Sequence, residues 1–421
     1  MTFESLHRSL LQRIQSLDFP TQDQLENLKY YKYAAVDKSP VSQHVLRHYW
    51  NWAITLFPLW IAPNLITLIG LLFMVTNVIF VALIVPDLES EGPSWLYFSF
   101  AIGLWLYSTF DNVDGRQARR THTSSPLGEL FDHGCDALNT TYVSLLQAAA
   151  LGLGHTQLTA VLFVVTMAGF YLSTAEEYYT GVLYLGYING PTEGIIFTCL
   201  AFIWSGCYGV ASWHVPIQDV PSLSWLSWMV PENTTAAAIF VWGTALLLVF
   251  THLPVVLYSV YLACRAKSLD IAEAGLNALV PFAVFCLADY AWLMSPYSIV
   301  FRDQHLVLFL LTTGTLFGLI ASNVILAHLT KSAYPNLWWL VAPIVIMCLL
   351  VNMPSILGIT LLTSGMEYGI LCVLCVVFFT WYGVWSWAVI DGFCRYLGIR
   401  CLVIHRDNRS NDVSASTSSG K

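Results

Sequence analysis

The chain has 421 residues, 57% hydrophobic and only 10% charged, with a formal net charge of −8. Soluble domains carry about 25% charged residues, so this composition excludes an ordinary soluble fold and predicts an all-α polytopic membrane protein. The 18 basic residues are too few and too dispersed to track a phosphate backbone, which excludes a general nucleic-acid binder.

In chain order, residues 1–63 read as a cytosolic N-terminal segment. Residues 1–43 are polar and charged throughout and lack the uninterrupted apolar core of a signal peptide. From 43 to 61, His44, Arg47, His48 and Asn51 recur near one face among Trp50, Trp52, Phe57 and Trp60, and Pro58 and Pro63 close the stretch. That pattern predicts an amphipathic helix lying in the cytosolic interface.

A membrane span needs roughly 20 apolar residues. Ten candidates follow, at 64–85, 95–115, 127–153, 156–175, 191–210, 236–263, 273–294, 305–328, 337–353 and 368–392. The second and third are unusual, because their apolar runs end in or contain aspartates. Beyond them, 394–421 reads as a cytosolic tail, rich in Ser, Asn and Thr over 407–421 and expected to be disordered.

Charge asymmetry tests the count. With a cytosolic N-terminus, the N-terminal segment, the even-numbered gaps and the tail hold every basic residue except Arg302. The 86–94 and 211–235 loops contain no Lys or Arg. Both termini are therefore expected in the cytosol. Asn233-Thr234-Thr235 would then be a lumenal acceptor sequon, whereas Asn139 lies in a span and Asn408 in the tail. Eight of the ten cysteines, among them Cys372 and Cys375, lie in or at the ends of apolar runs, so free thiols are expected rather than disulfides or a metal set.

The chemistry concentrates in Asp111-Asn112-Val113-Asp114-Gly115-Arg116-Gln117-Ala118-Arg119, followed by Gly128, Asp132 and Asp136. Three- and four-residue steps put Asp111, Asp114, Gly115 and Ala118 on one helix face, and Gly128, Asp132 and Asp136 on another. A short turn over 120–126 makes the two helices antiparallel neighbours, each presenting two carboxylates. A single Asp at a helix centre costs roughly 2.5–3.5 kcal/mol in a bilayer, and clustered like charges cost more. Divalent cations resolve this, because hard oxygen ligands suit Mg²⁺ or Mn²⁺, and two such ions can clamp a diphosphate. Polar pairing between helices, the plainer alternative, needs four cationic or donor partners that the spans do not offer. Gly115, Gly128 and Ala118 are small enough for close helix approach and for a bulky ligand, and Arg119 can contact a phosphate.

The pattern DxxDGxxAR-x8-GxxxDxxxD formed by these residues resembles the signature of the CDP-alcohol phosphatidyltransferases. LKYYKY at 28–33, His44-Val45-Leu46, PLWIAPNLIT at 58–67, PLGELFDHGCD at 126–136 and Glu176-Glu177-Tyr178 are similar to the eukaryotic choline/ethanolamine phosphotransferase branch. The resemblance is dense from 28 to 200 and weaker beyond. It implies transfer of phosphocholine or phosphoethanolamine from CDP-choline or CDP-ethanolamine to diacylglycerol, with release of CMP. It also implies that Asp111, Asp114, Asp132 and Asp136 hold two Mg²⁺ or Mn²⁺, and that the Gly115–Arg119 stretch helps seat the nucleotide, with Asn64 and Gly128 nearby. A catalytic core over 64–263, four added helices over 264–393, a homodimer, and an endoplasmic reticulum or Golgi membrane complete what it implies. An inositol-phosphate donor or an ether-lipid acceptor remains open within the same chemistry; a cation-coupled transporter is the alternative of a different class.

Two residues qualify as the base that takes the acceptor's proton, Asp136 and His133. An unperturbed imidazole titrates near pH 6.5, whereas a metal-bound carboxylate is a weak base, so His133 is preferred. Its alternative role is to orient Asp136. Glu193 and Glu177 are candidates for the head-group pocket, and helix-start placement explains Glu193 equally well. Asn64 opens the first span, where it either caps the helix or contacts the nucleotide, with capping preferred. Asp289 and Asp391 are expected to satisfy interhelical partners or bind lipid head groups.

Overall fold

The computed structural model describes residues 19–187, 189–220, 225 and 228–404. The segment 407–421, with its Asn408 sequon, lies outside the described residues. A capping box at Thr21 and Gln24 opens α1 (Gln22–Asn27). The interfacial stretch is helical but short: a π-helical turn, Ser42–Leu46, runs into α2 (Arg47–Ala53). Gln117 donates to the carbonyls of Pro58 and Ile61, and Arg120 to those of Ile54 and Phe57. These bonds satisfy carbonyls at the irregular end of the interfacial stretch and clamp it to a membrane helix.

Ten principal helices follow: α3 (Pro63–Ile84), α4 (Ser94–Thr121), α5 (Pro126–Leu151), α6 (Gln157–Thr180), α7 (Ile195–Tyr208), α8 (Ala236–Ala266), α9 (Ile271–Leu293), α10 (Leu306–Leu329), α11 (Trp338–Leu357) and α12 (Ser364–Leu397). They fall where the ten apolar runs predict them. Seven, namely α3, α6 and α8–α12, are long and apolar enough to cross a membrane. The 28-residue α4 and 26-residue α5 have the length, but their polar ends hold the aspartates. A π-helical turn, Gly190–Gly194, extends the 14-residue α7 at its start. Leu83, Phe197, Phe250, Leu287 and Val376 are exposed, and an apolar outer surface of this kind suits lipid rather than water. All ten cysteines are free thiols.

One large core runs through the early and late helices alike. Nearly all of α10 is buried, and it packs on α5, α6 and α12. Its Gly314 makes the closest approach: a β-carbon there would lie 2.3 Å from the Thr141 side chain of α5. On the other side, a β-carbon at Gly103 of α4 would lie 2.1 Å from Asn77 of α3. Glycine at both points lets helix backbones pack tightly, which fixes α5 between α10 and the α3–α4 pair.

Two details depart from expectation. The N-cap position of α3 is Ala62, without a side-chain cap, and Asn64 lies inside the helix with its amide 3.5 Å from Cys401 Sγ. Pro63 explains this, since it occupies the first helical position and needs no capped N–H. The other departure is a pair of three-residue parallel strands, β1 (Ala35–Asp37) and β2 (Leu183–Leu185), joining the N-terminal segment to the connection after α6.

Candidate active site

The turn between α4 and α5 sets the site. His122 ends α4 in the left-handed conformation, Ser125 accepts from Gly128 N as the N-cap of α5, and Pro126 follows at the first helical position. A turn this short forces the two aspartate-bearing ends side by side.

Carboxylate oxygens of Asp111, Asp132 and Asp136 all lie within 4.8 Å of one another. Asp114 flanks this trio: it adjoins Asp132, is buried, and accepts a hydrogen bond from the Thr67 hydroxyl of α3. Tyr107, one turn before Asp111 on α4, donates to Asp136 Oδ1 at 2.5 Å. Asp111 Oδ1 and Asp132 Oδ1 are shielded from solvent and have no hydrogen-bond partner. Among the described residues, no Lys or Arg forms an ion pair with any of the four. Convergent carboxylates with orphaned oxygens and no cationic side chain fit a hard divalent cation. The acidic cluster is therefore a competent metal site.

The glycines beside it provide space rather than close helix approach. A β-carbon at Gly115 would meet nothing nearer than Arg119 Nη1 at 3.6 Å. One at Gly128 would meet Asn64 Oδ1 at 3.7 Å. Arg119 is exposed, and Ala118 lies one turn after Asp114, so this face stays open beside the aspartates. Arg116 instead caps back onto the Asn112 carbonyl and lies 5.0 Å from the Trp50 ring, tying α4 to α2.

His133 belongs to a second cluster on the opposite flank of α5. Ligand atoms of Glu129, His133 and Glu177 also lie within 4.8 Å of one another. His133 Nδ1 is 3.7 Å from Glu177 Oε2 on α6, and Tyr31 donates to Glu129 Oε2 at 2.5 Å. Burial, and after it the Glu129 carboxylate, push the Tyr31 phenol above its ordinary value, so it remains a donor at neutral pH. α5 thus turns Asp132 and Asp136 toward α4 and His133 and Glu129 toward α6.

Glu193 stands apart from both clusters, buried at the start of α7, where it accepts from the Ser39 hydroxyl and from Asn189 N at 3.0 Å. The two later aspartates do not find interhelical partners. Asp289 is fully buried with both oxygens unpartnered, and Asp391 pairs within its own helix with Arg395 at 2.7 Å. In Asp391 the i,i+4 spacing on one helix supplies the nearer cation.

Sequence reasoning missed Thr67, Tyr107, Tyr31 and Glu129. Tyr107 and Glu129 carry a legible signal, standing four residues before Asp111 and His133 on the same helix faces. Thr67 and Tyr31 reach the site from other elements, which no spacing reveals.

The family model for the CDP-alcohol phosphatidyltransferases matches residues 60–215. The chain is similar to cholinephosphotransferase 1 of Saccharomyces cerevisiae, with 38% identity over 75% of this chain and 80% of that protein. It is also similar to choline/ethanolaminephosphotransferase 2 of Arabidopsis thaliana, 33% identical over 90% of this chain and 96% of the relative. Ethanolaminephosphotransferase 1 of Homo sapiens is 32% identical, covering 82% and 88% of the two chains.

Proposed function

The chain belongs to the CDP-alcohol phosphatidyltransferase family, and we propose that it transfers phosphocholine and/or phosphoethanolamine from the CDP-alcohol to diacylglycerol, releasing CMP. The observation that carries this reading is the convergence of Asp111, Asp132 and Asp136 with two orphaned oxygens, at the polar ends of two membrane helices. There a water-soluble donor meets a membrane-borne acceptor.

Asp111, Asp114, Asp132 and Asp136 would hold two divalent ions, Mg²⁺ or Mn²⁺. Bound there, the metal neutralises and polarises the donor's diphosphate. The open face at Gly115, Ala118 and Gly128, with Asn64 and Arg119 beside it, seats the cytidine diphosphate. Arg119 gives a charge-assisted contact to phosphate. The diacylglycerol oxygen attacks the β-phosphorus, the bond to the bridging oxygen breaks, and CMP leaves with the electron pair. His133 takes the acceptor's proton. Support for that choice is its place beside Glu177, which can hold Nδ1 and leave Nε2 as the accepting atom. Asp136 is the other candidate, but it is engaged by Tyr107 and by the carboxylate trio. Glu177 and Glu193 remain the candidates for the head-group pocket.

The distribution of the basic residues supports a site that faces the cytosol, and the family resemblance supports an endoplasmic reticulum or Golgi membrane. Residues 64–263 carry the catalytic core, with the helices of 264–393 bracing it through α10. The family resemblance supports a homodimer. Asp111→Asn tests the metal reading: it removes one ligand charge at nearly constant volume and abolishes turnover while the thermal midpoint is kept. Retained turnover would break the argument.

A further inference from the structure

The N-terminal segment, which precedes the region matched by the family model, is built into the site. Leu28 is buried in a cluster with Leu127 and Leu130 of α5, Leu326 and Leu329 of α10 and Phe393 of α12. Farther along, β1 pairs with β2, and Ser39 donates to Glu193. The stretch between these attachments crosses beside the Glu129–His133–Glu177 cluster. Within it, Tyr31 gives its hydroxyl to Glu129 at 2.5 Å.

We propose that Tyr31 is a positioning residue for the transfer reaction, its hydroxyl fixing Glu129 against His133 so that the imidazole is held where the acceptor hydroxyl arrives. This inference rests on the reading of His133 as the base. Glu129 has more than one possible neighbour: Glu177 repels it, and Lys331, just past the end of α10, attracts it. A carboxylate between such neighbours has competing rotamers, and a neutral donor on one oxygen selects a single one. The donor takes Oε2 and holds the carboxylate within the cluster, where the ligand atoms of Glu129, His133 and Glu177 lie within 4.8 Å of one another. Hydrogen bonds to ionised groups are among the stronger ones, and misplacing a reacting group by about 1 Å can cost on the order of a hundredfold in rate. Leu28 and Ser39 hold the segment independently of the hydroxyl, so a phenylalanine at this position keeps the attachment and loses only the bond.

The test is steady-state kinetics of the purified full-length Tyr31→Phe protein, with kcat and KM measured for the CDP-alcohol and for diacylglycerol at saturating Mg²⁺. The expected result is a kcat about tenfold lower, with both KM values within about twofold of the parent. In the Glu129→Gln background the same change adds little, because Tyr31 acts through Glu129. An unchanged kcat, a change confined to KM, or losses that multiply in the double variant would each overturn the inference. If Glu129→Gln has no measurable turnover, the kcat-against-KM split of Tyr31→Phe decides alone. His133→Gln separates the two readings. If it keeps full activity, the base assignment falls and this inference with it. If it is inactive while Tyr31→Phe is normal, only the inference is lost.

Discussion

Tyr107 donates its hydroxyl to Asp136 Oδ1 at 2.5 Å, so the last aspartate of the motif enters the site with one oxygen already engaged. The same carboxylate lies within 4.8 Å of Asp111 and Asp132, an arrangement that suits a cation. His133 lies outside that trio with Glu177 beside Nδ1. The proposed division of labour between metal ligand and base thus falls on the two flanks of α5.

From that division, His133→Gln lowers kcat by about 10²–10⁴-fold at saturating Mg²⁺. Glutamine keeps hydrogen-bonding capacity near Glu177 but cannot accept a proton at neutral pH. Activity close to that of the parent would remove His133 from the chemistry and leave Asp136 as the base.

Chelation gives the second expectation. If the orphaned oxygens of Asp111 and Asp132 hold an ion as proposed, exhaustive treatment with EDTA abolishes transfer, and Mg²⁺ or Mn²⁺ restores it. The concentration of metal that half-restores the rate rises in Asp132→Asn. Turnover that persists in metal-free buffer contradicts the metal assignment.

Gly314 supplies a prediction about stability. An added β-carbon overlaps the Thr141 side chain at 2.3 Å, so Gly314→Ala pushes α10 off α5. Overpacking of this kind costs about 1–3 kcal/mol, read as a lowered thermal midpoint in detergent. Because α5 carries Asp132 and Asp136, activity falls with it. An unchanged midpoint would mean that the α5–α10 contact yields without strain.

Much of the fold is legible in the sequence, because hydropathy over some 20 residues decides where a membrane helix lies. All ten apolar runs became helices, including the second and third, whose aspartates blur the signal. The convergence of the aspartates is legible for a related reason, since fixed spacing on a helix dictates which side chains share a face. Contacts between elements are not. Thr67 reaching Asp114 and Tyr31 reaching Glu129 depend on how helices and the N-terminal segment pack. The prediction for Asn64 failed because Pro63, not Asn64, sets the start of α3. Asp289 has no polar partner, and nothing in its helix signals that.

The central claim is tested most directly by product release. Purified protein supplied with diacylglycerol and Mg²⁺ is given CDP-choline in one assay and CDP-ethanolamine in another, and CMP is measured. The account predicts CMP release, with matching formation of the diacyl phospholipid, from at least one donor. No CMP from either donor, with the protein folded and metal present, would contradict it.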